Sequence, residues 1–223
     1  MRESYSIFDI TGPIIIGPSS SHTAGACRLA NAARAILNRE VASAVIHVYG
    51  SFAETLFGHG TDRALVGGLL GILPDDEILV KAFELAQEKG LSYRFEIEDE
   101  TLSNANMVLF ELVGTDGSSM NIRGASIGGG SIMIDQIDST NLEISLKYNT
   151  LVVDHLDKPG AVLGVSRILA EHNINIASMN MYRQGKHGRA YMILETDQDI
   201  GPEVLHMIRS LEDMKTIYIR KLY

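Results

Sequence analysis

The sequence predicts an α/β (α+β) protein: a mixed α/β domain over residues 1–146, then a ferredoxin-like βαββαβ domain over 147–223. Three observations predict it. The last 75 or so residues alternate strand and helix patterns in the order β-α-β-β-α-β. The residues before them mix Ala-rich and amphipathic helical stretches with five short β-rich runs. The chain of 223 residues is also long enough for two smaller domains.

The elements follow in order. GPSSSH at 17–22 reads as a loop before an Ala-rich helix at 24–37. AVIHVY at 44–49 is a strand, and 52–57 a short helix. Thr61 looks like the N-cap of a helix beginning at Asp62, which carries Leu65, Val66, Leu69 and Leu70 on one face. Residues 76–89 form an amphipathic helix ended by Gly90. Strands follow at 93–97, 107–113, 120–126 and 131–137. Thr115-Asp116-Gly117 is a hairpin turn, and Gly128-Gly129-Gly130 separates the last two strands. Ser139, Thr140 and Asn141 break the strand pattern, which places the domain boundary near 139–148. In the second domain, strands at 149–155, 174–182, 190–196 and 215–222 enclose helices at 161–172 and 202–211. Pro159 suits a first helical turn. Met179, Met181 and Met192 read as core filling.

Composition excludes several functions. Lys plus Arg is 19 against 28 Asp plus Glu, a formal charge of −9. An acidic chain without a basic run is a poor binder of nucleic acid or anionic membrane. The longest near-apolar run, at 64–73, is far short of the roughly 20 residues a bilayer requires. Cys27 is the only cysteine, so no disulfide can form within the chain, and this chain alone cannot build a Cys-ligated cluster. With no signal peptide visible, a cytoplasmic location is expected.

Three clusters could carry chemistry. Ser19, Ser20 and Ser21 with His22 can cradle a carboxylate or phosphate at a helix start, and His22 can act as a base; an N-capped helix with a solvated serine loop explains the same residues. His59, between Gly58 and Gly60, has an uncrowded imidazole that can take a proton near neutrality; an incidental exposed histidine at a helix start is the plainer account. The glycines at 128–130 mark a close approach to a ligand or an ordinary hairpin. Cys27, His47 and His206 read as structural.

Taken together, GPSSSHTAGACRLA, YGSFAETLFGHGTDRALVGGLLG and ASIGGGSI, followed by a ferredoxin-like module, resemble the β chain of the bacterial iron–sulfur-dependent L-serine dehydratase. The resemblance spans essentially the whole chain. It implies a substrate-binding-type first domain and an ACT domain at the C-terminus. It also implies a separate α chain that ligates a [4Fe–4S] cluster, whose free iron acts as a Lewis acid while L-serine becomes pyruvate and ammonia. His59 matches the family's proposed base, Thr61 a hydroxyl associated with substrate, and His22 with Ser19, Ser20 and Ser21 the serine–histidine loop. Asn106 matches half of a family HxN pattern; Asn104 replaces its histidine. His155, Asp157, Gly160 and Asn175 follow the spacing of a serine-binding ACT module, with Asp157 in place of the usual Asn. An ACT-mediated association of two copies is expected, since an edge strand of the sheet invites pairing. Two other readings stand beside this one. One is a stand-alone amino-acid-sensing module without catalysis. The other is a metal-independent enzyme using the GPSSSH loop.

Overall fold

In a computed structural model, residues 17–100 and 104–221 are described, and they divide between 138 and 139 into two compact units.

The first unit opens with a π-helical turn, Ser20–Gly25, that runs directly into α1, Ala26–Leu37. The serine loop is therefore helical from Ser20 onward. Ser19 caps the turn: its side chain accepts a hydrogen bond from the His22 N–H, which a helix start otherwise leaves unpaired. β1 (Val41–Tyr49) leads into α2 (Gly50–Glu54), and α3 spans Thr61–Leu69. Thr61 is not the cap. Gly60 occupies that position with φ 70°, and Thr61 turns inward as the first helical residue. The stretch expected as one helix at 76–89 is a 3-10 turn, Glu77–Lys81, followed by α4, Ala82–Glu88. Asp76 caps it by accepting from the Ile78 N–H.

β2 (Ser92–Glu98), β3 (Met107–Gly114), β4 (Ser119–Gly128) and β5 (Ser131–Ile137) complete this unit, with strand order β2-β1-β3-β4-β5. Among the described strands of this unit, only β1 and β2 pair in parallel. α1 packs on α3 and lies over β3, β4 and β5. Its buried face includes Ala26, Leu29, Ala30, Ala33 and Ile36, an i, i+3, i+4 pattern, and the buried residues of the sheet include Ile46, Val48, Phe110 and Ile122.

In the second unit, β6 (Thr140–Ile144) occupies residues expected to break the strand pattern. Its alternation of buried Thr140, Leu142 and Ile144 with exposed Asn141 and Glu143 accounts for the strand. Then come β7 (Asn149–Leu156), α5 (Ala161–Glu171), β8 (Ile176–Arg183), β9 (Arg189–Thr196), α6 (Pro202–Arg209) and β10 (Lys215–Ile219). The four-stranded sheet runs β10-β7-β9-β8, all antiparallel. This is the βαββαβ arrangement expected. Leu151, Val153, Met192 and Leu194 pack against Val165, Leu169, Val204 and Ile208 of the two helices. Pro159 precedes the α5 cap, Gly160, and does not sit in the first turn. Met192 is buried, but Met179 and Met181 on the edge strand β8 are each 42% exposed and fill no core.

Candidate functional site

Four segments of the first unit meet around His22. The π-helical turn sets its ring: Ser19 Oγ lies 3.3 Å from Nδ1. Ser51, at the start of α2, places its Oγ 3.0 Å from Nε2. Both ring nitrogens are thereby engaged and the ring plane is held. Phe52 meets the imidazole edge-on with centroids 5.4 Å apart. His59 stands 5.4 Å away on its other side, tilted by 38°. Burial lowers the pKa of His22, and the neighbouring His59 lowers it further, while hydrogen bonding at Ser51 works against the shift. His22 is therefore held toward its neutral form.

The His59 loop is tied down by its backbone. Thr23 donates its hydroxyl to the His59 carbonyl at 3.1 Å, and the His59 N–H donates to Thr55 O at 3.3 Å. Its ring is exposed and makes no hydrogen bond to another described residue. A ring free in this way, beside a second imidazole held neutral, can accept a proton from a ligand in the cleft.

The remaining wall comes from the residues leading into β3 and from β4. The Ser51 N–H donates to Ala105 O at 2.6 Å, and the Ser126 N–H donates to Asn106 O at 2.9 Å. A Cβ on Gly25 would collide with the Ser126 hydroxyl, so this wall reaches back to the π-helical turn. Among the described residues, three side-chain atoms here are buried without a hydrogen-bond partner: Thr61 Oγ1, Asn106 Oδ1 and Ser126 Oγ. Unsatisfied buried polar atoms cost about 1–3 kcal/mol each, so a ligand or water that pairs them is favoured. A cleft of about 700 Å³, lined by Ser51, Glu54, Glu98, Asp99, Glu100 and Asn104, adjoins this group.

The fold thus gathers Ser19, His22, His59 and Asn106 from 19–106 into one region. Ser20 and Ser21 lie half-buried in the same turn. Asn104 is exposed at the cleft. Sequence reasoning missed Ser51 and Ser126, since their partners lie many residues away. Cys27 does not fit the role of a cluster ligand. Its thiol is buried, donates to Ile72 O, and burial pushes its pKa up to about 12, whereas cluster ligands are thiolates.

In the second unit, the β7–α5 turn carries a separate group. His155 is 1% exposed; its Nδ1–H donates to Leu156 O at 2.7 Å, and its Nε2 is buried without a partner. Gly160 caps α5 with φ 91°, no side chain caps the helix, and nothing lies within 4 Å of where its Cβ would be. The helix N-terminus is therefore open to a carboxylate. Asp157 is already engaged, accepting from Arg183 Nη1 at 3.2 Å. Asn175 is not brought to this group. It precedes β8 at the opposite end of the sheet, where its side chain donates to Asp197 at 2.6 Å.

A family model described as serine dehydratase beta chain matches residues 6–137, and one described as ACT domain matches 149–212. A protein of Bacillus subtilis (strain 168) named probable L-serine dehydratase, beta chain, is 39% identical over 94% of this chain and 94% of its own length. The L-serine dehydratase, beta chain, of Peptoniphilus asaccharolyticus is 36% identical over 95% of this chain and 96% of its own. A D-3-phosphoglycerate dehydrogenase of Mycobacterium leprae (strain TN) is 27% identical over 80% of this chain and 34% of its own length.

Proposed function

The chain belongs to the serine dehydratase beta chain family and carries an ACT domain, and from that we propose that it is the β subunit of a two-chain L-serine dehydratase. The reaction converts L-serine to pyruvate and ammonia by α,β-elimination. The proposed α chain holds the [4Fe–4S] cluster, whose chemistry there is Lewis-acid polarisation of the substrate oxygens. This chain's part is proton transfer. His59 removes the Cα proton; the Cβ–O bond breaks as the Cα–Cβ double bond forms, and the hydroxide that leaves takes up a proton, so that the elimination releases one water. The aminoacrylate product then tautomerises and is hydrolysed to pyruvate and ammonia. Ser19 and Ser51 hold His22 beside His59, and the neutral His22 leaves room for His59 to accept charge. Asn106 and Thr61 offer the unsatisfied polar atoms that a substrate carboxylate or ammonium group can pair.

The observation that carries the reading is the exposed His59 ring standing 5.4 Å from the doubly hydrogen-bonded His22. Its test is anaerobic co-purification with the partner chain, followed by a pyruvate assay. His59→Ala should lower kcat by about 10²–10⁴ while the cluster spectrum is unchanged. Near-normal turnover would assign the base to His22.

The ACT domain is proposed to bind L-serine at the α5 N-terminus, supported by the open Gly160 cap and the unpartnered His155 Nε2. Asn175 can join that site only from a second copy. Antiparallel pairing of two β8 edges, centred between Met179 and Asn180, sets Ile176 of one copy opposite Arg183 of the other, and Arg183 holds Asp157. Asn175 of the second copy then comes beside the β7–α5 turn. If sensing without catalysis is the chain's whole role, serine binds to the chain alone and the partner chain adds no turnover.

A further inference from the structure

We propose that His47, Glu96 and Glu98 form a binding site for a first-row divalent metal ion, with Glu111 orienting the imidazole from behind. The site does not depend on the dehydratase reading. Strand register builds it: His47 on β1 pairs with Glu96 on β2, and Tyr49, two residues on, pairs with Glu98. Glu111 on β3 pairs with Val45, two residues before His47. Alternate residues of a strand share a face, so all four side chains project from the same face of three adjacent strands.

The donor atoms converge on one point. His47 Nδ1 lies 2.6 Å from Glu98 Oε1 and 3.6 Å from Glu96 Oε2, and the three donor atoms all lie within 4.8 Å of one another. Bonds of about 2.1 Å at a tetrahedral ion separate its donors by about 3.4 Å. The Glu98 contact needs to open by less than an ångström, and its carboxylate is one-third exposed and free to turn. A proton on Nδ1 serves Glu98 alone, because Glu96 stands beyond hydrogen-bond reach; an ion serves all three. The other ring nitrogen faces Glu111. Among the described residues His47 Nε2 is buried and has no hydrogen-bond partner, and the nearest carboxylate oxygen, on Glu111, is 3.5 Å away. A metal at Nδ1 leaves the ring proton on Nε2, and a small turn of Glu111 brings its carboxylate into reach of that N–H, as carboxylates stand behind ligating histidines. Charge also favours a cation: three carboxylates surround the ring, and Arg94, bonded to Glu96 Oε1 at 2.8 Å, offsets one of them. Glu98 lines the 700 Å³ cleft, which supplies an entry path. One imidazole with two carboxylates suits Zn²⁺ or Mn²⁺ better than Mg²⁺.

The test uses the full chain, stripped with EDTA and titrated by calorimetry at pH 7.5 with Zn²⁺ and, separately, Mn²⁺. One ion per chain is expected. Glu98→Gln should weaken binding about 10- to 100-fold and Glu111→Gln by about tenfold, while Glu54→Gln should leave it unchanged. Glu98→Gln is near-isosteric at a partly exposed position, and an unchanged urea midpoint verifies its fold. In NMR spectra, substoichiometric Mn²⁺ should broaden the His47 ring signals first. No binding of either ion, equal binding by Glu98→Gln, or broadening of another histidine in place of His47 would each overturn the proposal.

Discussion

At the scale of single residues, His22 is the most constrained group of the candidate site. Its pKa lies below the ordinary 6.5, first because it is buried and then because His59 is close. The sign of the consequence follows. The unfolded chain takes up a proton on His22 at a higher pH than the folded chain does. Stability is therefore fully present above about 6.5 and declines as pH falls below it. His22→Gln should flatten that part of the stability–pH curve, measured by urea unfolding at a series of pH values. His59→Ala should raise the His22 titration midpoint toward the ordinary value in an NMR titration, because it removes the neighbouring charge. An unmoved midpoint would mean that the two rings do not interact electrostatically. Ser19 and His22 were legible together because a cap reaches three residues along the chain. Ser51 was not, since its bond to His22 spans 29 residues and no local pattern announces it.

Helices and strands pose a different set of constraints. α1 and α3 approach so closely that a Cβ on Gly68 would collide with the Cys27 carbonyl and lie 2.6 Å from Ala30 Cβ. Gly68→Ala should therefore destabilise the first unit by about 1–3 kcal/mol in urea unfolding. This outweighs the helix propensity of about 1 kcal/mol that alanine contributes at such a position. A more stable variant would show that the helices can separate cheaply. In the second unit, Gly160 has space around it but a φ of 91° that an L side chain adopts with strain. Gly160→Val should abolish the calorimetric heat with L-serine while leaving His59-dependent turnover unchanged. Retained heat would move the effector elsewhere.

For the molecule as a whole, association is the property most open to test. β8 is an edge strand of the second sheet, and Met179 and Met181 stand exposed along it. Leu163 on α5 is 69% exposed. Open backbone groups beside apolar side chains favour pairing with a second copy. Sedimentation should show the full chain as a dimer or larger, and Met181→Lys should shift it toward monomer by placing a charge at the paired edge. A wild-type chain that stays monomeric at high concentration would remove the basis for a shared serine site. Among the described residues, no helix is long and apolar enough to cross a membrane.

The amino-acid sequence by itself determined the order of elements in the second unit and the helical faces of the first, because periods of 2 and 3.6 are local and burial enforces them. It also determined the segments from which the candidate site is drawn, since GPSSSH and GHGTD are contiguous. Tertiary structure alone decided the rest. Thr61 became a buried, unpaired hydroxyl because Gly60, in a left-handed conformation, took the capping position. His22 was engaged at both ring nitrogens because the fold carried Ser51, 29 residues along the chain, to its Nε2. His47, which read as an ordinary strand residue, met three glutamates because the pairing of β1 with β2 and β3 set them on one face. Asn175, sixteen residues along the chain from Pro159, was carried to the far end of the sheet because α5 and its flanking turns reverse the chain before β8 begins. Contacts of this kind depend on register and packing between distant segments, which local sequence patterns do not encode.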